Sequence, residues 1–130
     1  MLDTNTVSYI IKGSPKSVRE YLEEVPMASI FLSSISEAEL LLGVAKKPNA
    51  KHLPLIINDF LLRVNVLPWD SKAANIYAKF RAGCESQGKS LGSMDMLIAA
   101  HAIATGSVLV TSDKAFYKIN SQLKLEDWTK

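Results

Sequence analysis

Apolar positions along the chain change period repeatedly, and the changes mark out alternating strands and helices. Met1-Leu2-Asp3 opens as a short apolar strand. Thr4-Asn5-Thr6 follows at once and suits the N-terminus of a helix running through Ile11. Lys12-Gly13-Ser14-Pro15 breaks that helix, and Pro15 fits the first turn of a second one ending near Glu24, with Val18, Tyr21 and Leu22 apolar. Ile30 to Ser33 predicts a strand. Ser34 or Ser36 then caps a helix carrying Ala38, Leu41, Leu42 and Ala45, which must stop before Pro48. Leu53 to Leu62 predicts another helix, and Val64 to Leu67 a strand ended by Pro68. Asp70 or Ser71 starts a long helix closed by Gly88; Ser93 opens the next, over Asp95 to Ala104, and Gly106 stops it. Val108-Leu109-Val110 is apolar at successive positions, as in a parallel strand covered on both faces, and a last short strand falls at Leu123-Lys124-Leu125.

Strands alternating with helices predict an α/β fold with a central parallel sheet of four or five strands flanked by helices. The 130 residues carry no Gly/Ser-rich linker, low-complexity tract or internal repeat, so one domain over 1–130 is expected. Two apolar runs, Ile35 to Val44 and Ile56 to Leu62, exceed what one small core needs. They predict a homodimer formed by helices of the N-terminal half, unless they simply cover the sheet.

Composition changes this picture little. A hydrophobic fraction of 48% excludes a disordered chain, and a net charge of +2 is too small to predict nucleic-acid binding by itself. Lys46, Lys47, Lys51, Lys79, Arg81 and Lys89 are less diluted by acids and leave room for a local basic surface. A single cysteine, Cys84, excludes an intrachain disulfide and suits a reducing compartment. No secretory signal is expected, and the longest apolar run, Met96 to Ala104, is interrupted by His101 and too short to span a membrane. A cytoplasmic protein is the resulting expectation.

The carboxylates carry the chemistry. Asp3 ends the first predicted strand and Asp113 lies just past the Val108 to Val110 strand; in an open parallel sheet those ends share the edge where ligands gather. Asp95 stands near the start of an otherwise apolar helix, and Glu39 in the first turns of the helix after the second strand, so both can face that edge. Each has a plainer account: helix capping for Asp95, the cap of a short Asp-Lys-Ala-Phe turn for Asp113, an Asx-turn for Asp3, a solvated helix position for Glu39. Four acids on one edge repel one another and bind protons unless a cation lies among them. An all-oxygen set without paired His or Cys favours Mg²⁺ or Mn²⁺ over zinc, and such ions serve phosphodiester hydrolysis. Composition does not choose RNA over DNA.

The ordered segments Met1-Leu2-Asp3-Thr4-Asn5-Thr6, Ile35-Ser36-Glu37-Ala38-Glu39-Leu40 with Gly43, Gly88-Lys89-Ser90-Leu91-Gly92-Ser93-Met94-Asp95 leading into Ile98-Ala99-Ala100-His101-Ala102, Val108-Leu109-Val110-Thr111-Ser112-Asp113 with Phe116, and Leu123-Lys124-Leu125-Glu126-Asp127-Trp128 cover essentially the whole chain. Together they resemble the PIN-domain family, specifically the VapC-type toxins of toxin–antitoxin pairs. The resemblance implies a PIN-like three-layer fold and a metal-dependent endoribonuclease. Asp3, Glu39, Asp95 and Asp113 are then the family's four acids in order. Glu39 is selected over Glu37 because the family's glutamate directly precedes Leu and lies four positions before Gly. Many relatives carry Asn where this chain has Asp113. Asn5, Thr111 and Ser112 match polar positions beside the site, and Arg81 and Lys89 match basic positions able to hold an RNA backbone. The resemblance also implies a VapB-like antitoxin as partner and RNA as substrate, with initiator tRNA cut in its anticodon loop by the enteric members.

Other residues invite function less. His101 on an apolar helix reads as a hydrogen-bonded core histidine, His52 as a surface-turn residue, Cys84 as packing, and Trp69 and Trp128 as completing a core or interface although either could stack on a base. Two other functions compete: a PIN-type nuclease of RNA processing or DNA repair, and a catalytically inactive nucleic-acid-binding protein.

Overall fold

A computed structural model describes residues 1–119 and 122–130. Helix α1 (Thr4–Lys12) is followed by α2 (Lys16–Glu24), a 3-10 turn (Met27–Ser29), β1 (Phe31–Ser33), α3 (Ser34–Ala45), α4 (Leu53–Arg63), β2 (Asn65–Leu67), α5 (Ser71–Ser86), α6 (Ser93–Thr105), β3 (Val108–Val110), α7 (Lys114–Lys118) and β4 (Lys124–Glu126). β1 pairs with β2 and β3 with β4, both parallel. Leu2 alone joins the two pairs through parallel bridges to Leu32 and Val110, giving the order β2–β1–Leu2–β3–β4.

The expected first strand is therefore shorter than its apolar pattern suggests. Its backbone is nonetheless well tied: Leu2 N–H donates to Phe31 O and Asp3 N–H to Val110 O, each at 3.0 Å. Asp3 turns away into α1 immediately afterwards, because its side chain accepts from Thr6 N–H at 2.8 Å and caps the helix. The capping residue is thus Asp3 rather than a member of Thr4-Asn5-Thr6. The cap of α3 is likewise one residue earlier than expected, at Ser33, whose Oγ accepts from Ile35 N–H at 3.1 Å. Gly106, at φ 64°, ends α6 as expected, its left-handed turn letting Ser107 N–H reach Ala102 O at 2.9 Å.

Side chains of successive strand residues go to opposite faces, and the core divides accordingly. Leu2, Leu32 and Val110 join Val7, Val18, Ile57 and Phe60 on the side of α1, α2 and α4, while Met1 and Leu109 join Phe80, Met96, Ile98, Ala99 and Phe116 on the side of α5, α6 and α7. The result is the expected three-layer α/β/α arrangement. α6 lies deepest, with Ala99, Ala100 and Ala102 fully buried; small side chains let it approach both the sheet and α5. On α3 and α4, by contrast, Leu41, Leu42, Leu55, Ile56 and Leu62 are exposed, Leu62 at 86%. Among the described residues no helix is long and apolar enough to cross a membrane.

Candidate active site

Parallel strands put their C-terminal ends on one edge, and each acid reaches that edge from a different element. Asp3 follows Leu2 and is 5% exposed, held by its cap to α1. Asp113 follows β3 and caps α7, its Oδ1 accepting from Ala115 N–H at 2.9 Å. Both carboxylates use a single oxygen, Oδ1, in these bonds, leaving the second for another task. Capping and convergence thus coexist in Asp3 and Asp113. Asp95 is different. The cap position of α6 is Gly92, with no side-chain cap bond, and Asp95 stands in the first turn, half-buried. Glu39 is also half-buried and is aimed by Thr4, whose Oγ1 donates to Glu39 Oε1 at 2.7 Å.

Three of the acids act on the fourth. Burial raises the Asp95 carboxyl above its ordinary value, and the charges of Asp113, Glu39 and Asp3 raise it further, in that order. Glu39 enters this set and Glu37 does not. The positive end of α6 partly offsets the repulsion but leaves a marked excess of negative charge.

Among the described residues, no three His, Cys, Asp or Glu side chains are gathered closely enough to enclose a metal ion by themselves. An open, all-oxygen basin fits a hard divalent cation that keeps several waters and uses few carboxylates together with substrate phosphate oxygens.

The supporting residues divide. Thr111 is fully buried and its Oγ1 accepts from Asp113 N–H at 3.1 Å, fixing the turn that presents Asp113. Ser112 is half-buried in the same turn, and Asn5 is exposed on the first turn of α1. Arg81 is folded back onto α5, its Nη1 donating to the Tyr77 hydroxyl at 2.7 Å with its guanidinium over the Tyr77 ring. Lys89 lines a small cavity with Lys79, Cys84 and Ile119. Neither basic residue is among the charges acting on Asp95. Cys84 is buried, which raises its thiol despite nearby Lys89, so it packs rather than reacts. Trp128 is buried and stacked on Tyr21, whereas the Trp69 indole N–H donates to Leu97 O at 2.9 Å.

Two neighbours of the acids escaped the sequence reading. Thr4 was legible only as helix-start chemistry, because its partner Glu39 is 35 positions away. Tyr117 lies on the short α7, where only a turn was expected. Its hydroxyl donates to Thr111 O at 2.9 Å, and burial followed by Asp127, Asp3 and Glu126 raises it. A helix starting at Asp113 would have brought it back beside that acid at position i+4.

The PIN domain model matches residues 1–121. The chain is 33% identical over 129 residues to the tRNA(fMet)-specific endonuclease VapC of Shigella flexneri, covering 99% of this chain and 97% of that one. It is 36% identical over 131 residues to ribonuclease VapC2 of Rickettsia felis, covering 100% and 98%. Among solved structures, VapBC2 of Rickettsia felis bound to a promoter DNA fragment superposes with a TM-score of 0.90 at 36% identity, covering 98% of this chain and 97% of that one. VapBC-1 of nontypeable Haemophilus influenzae gives 0.88 at 32%, covering 100% and 98%. A matched fold, a matched order of motifs and full-length relatives agree: the chain belongs to the PIN-domain family, among its VapC-type members.

Proposed function

We propose that residues 1–130 form one ribonuclease domain acting in the cytoplasm as the toxin of a toxin–antitoxin pair, hydrolysing RNA phosphodiester bonds with a divalent metal. The observation that carries this reading is the repulsion at Asp95, whose carboxyl is raised by burial and by Asp113, Glu39 and Asp3 together. Such a basin repels a phosphodiester and attracts a cation, so the metal is needed even to bring substrate in.

Asp3 and Asp95 are the principal oxygen donors for Mg²⁺, with Mn²⁺ as substitute, and Asp113 completes the set or serves a second ion. When bound, the metal supplies an activated water and stabilises the phosphoryl oxygens. The chain's own residues supply orientation. The Thr6 and Ala115 N–H groups hold one oxygen each of Asp3 and Asp113, and Thr4 holds Oε1 of Glu39. Oε2 of Glu39 is left to bind metal or position a water beside the scissile phosphate. No side chain acts as a covalent nucleophile. Asn5 and Ser112 stand where they can order water, Thr111 sets the Asp113 turn, and Arg81 and Lys89 are candidates for contact with the RNA backbone.

Initiator tRNA, cut in its anticodon loop, is the proposed substrate, because a relative alike over its whole length is named as a tRNA(fMet)-specific endonuclease. A VapB-like antitoxin is the proposed inhibitor, since similar chains were solved as VapBC complexes. A groove of about 290 Å³ beside Glu39, with Ile11, Leu40, Leu53 and Ile57 in its walls, offers apolar anchors next to the acids, where a basic side chain competes with the metal. A second copy of the chain is proposed to share the exposed face of α3 and α4.

RNA end mapping after brief expression tests the reading. One discrete tRNA cut, absent with Asp95→Asn, is expected. Indiscriminate decay would remove the substrate assignment, and equal cleavage by the variant would remove the active site.

A further inference from the structure

Helix α3 carries Glu39 and α6 carries Asp95, two acids of the same basin. Something must set how closely the helices stand. They pack against each other, and one buried polar contact joins α6 to the residue that starts α3: His101 Nδ1 lies 2.7 Å from Ser33 Oγ. Both residues are buried, His101 at 1% exposure and Ser33 at 0%.

Ser33 Oγ accepts from Ile35 N–H as the cap of α3, and among the described residues His101 Nδ1 is the acceptor within reach of its single O–H, so the hydroxyl is fully used when it donates to the imidazole. Nδ1 is then the acceptor, and the proton of the neutral ring resides on Nε2. The surroundings favour that neutral form. Burial lowers the ring's basicity, against a smaller opposing effect of Asp70 from the link between β2 and α5; Lys72 and Asp70 line the cleft that His101 borders. Ser33 therefore couples two events: it starts the helix that carries Glu39, and it ties that start to the helix that carries Asp95. His101 and Glu39 each lie six residues beyond the residue they connect, Asp95 and Ser33 respectively, so a small tilt at the bond displaces both acids.

We propose that His101 is a positioning residue whose buried hydrogen bond to Ser33 sets the separation of Glu39 and Asp95, and through it the affinity of the acid basin for divalent metal. The inference rests on the metal-dependent nuclease reading above and adds a residue that touches neither metal nor RNA. A plain packing histidine would matter for stability alone.

The test compares His101→Leu, which fills space without an acceptor, with His101→Asn, whose amide oxygen can accept near the position of Nδ1. Mn²⁺ binding to each folded variant is measured by calorimetry, beside thermal unfolding and RNA cleavage at low and saturating Mn²⁺. The expected result is about tenfold weaker Mn²⁺ binding in His101→Leu, with cleavage recovering at saturating metal, and affinity within about twofold of wild type in His101→Asn. Unchanged affinity in His101→Leu, or equal losses in both variants, overturns the proposal. Should His101→Leu not fold, His101→Gln replaces it, because its acceptor falls nearer Nε2; affinity equal to that of His101→Asn then overturns the proposal. A wild-type protein that binds no Mn²⁺ would overturn the nuclease reading as well, whereas normal wild-type binding with an indifferent His101 sinks this inference alone.

Discussion

The acid edge and the outer face of α3 and α4 are both incomplete in the isolated chain, for opposite reasons. At the edge, four carboxylates are concentrated, Asp95 is held above its ordinary protonation range, and backbone caps plus Thr4 hold three of the acids in place. On the α3–α4 face, Leu41, Leu42, Leu55, Ile56 and Leu62 point outward with nothing packed over them. The edge lacks positive charge and the face lacks apolar cover. A small fold can bear both because its two cores, on either side of the sheet, are complete without them. Like charge at the edge is relieved by a cation, and exposed apolar surface on the face is relieved by a partner.

Asp95→Asn strikes the edge hardest. It removes the acid on which the other three act, so cleavage should fall on the order of 10³-fold, since a metal site contributes several kcal/mol to such reactions. The same change removes a repelling charge, so the metal-free variant should melt higher than wild type. Loss of activity together with lower stability would mean that Asp95 holds the fold rather than the metal.

A core residue under the exposed face gives the matching test. Ile57 is 4% exposed, on the same helix as exposed Leu55 and Ile56. Ile57→Ala should cost about 2–5 kcal/mol in denaturant unfolding, because it leaves a cavity beneath α4. A cost below about 1 kcal/mol would show that α4 packs loosely along its whole length.

Metal and pH probe the edge without mutation. The folded chain holds the Asp95 proton more firmly than the unfolded chain, whose value is near 3.8. Its contribution to stability is therefore full below that value and is lost as pH rises through the higher folded value. His101 has the opposite sign: its folded value lies below 6.5, so its contribution is present above 6.5 and is lost as pH falls through the folded value. Mg²⁺ should accordingly raise the melting temperature more at about pH 8 than at about pH 5, where protons compete for the acids. A metal concentration of about a hundred times Kd should add about 2.7 kcal/mol at the higher pH, and much less in Asp95→Asn. Equal stabilisation of both proteins would place the ion elsewhere.

Local chemistry made most of this fold legible. Gly106, Pro68 and Asp70 delimit elements by their own backbone or capping preferences, and observed boundaries fall within a residue or two of those expected. Leu2 was harder to read: an apolar start reads as a strand, yet the Asp3 cap turns the chain after a single bridging residue. The helix Lys114–Lys118 was read as a turn because five residues give too little periodicity to recognise. At the candidate site, the four acids could be named from strand ends and motif order. Their supports could not, since Thr4–Glu39 and Ser33–His101 are 35 and 68 positions apart. Arg81 likewise has a partner its sequence position does not reveal, the Tyr77 hydroxyl to which it donates.

The smallest expected effect separates the two regions most cleanly. Leu62, at 86% exposure, contributes little to either core, and a charge there meets solvent rather than an apolar neighbour. Leu62→Lys should therefore change unfolding free energy by no more than about 0.5 kcal/mol and leave both metal binding and RNA cleavage as in wild type. If the α3–α4 face is where a second copy docks, the same substitution buries an ammonium group in an apolar contact and should shift sedimentation at micromolar concentration toward the monomer. An unchanged dimer would move the interface off this part of α4, and a monomeric wild type would remove it altogether. A change in cleavage without a change in assembly would instead mean that the face and the acid edge are coupled through α4.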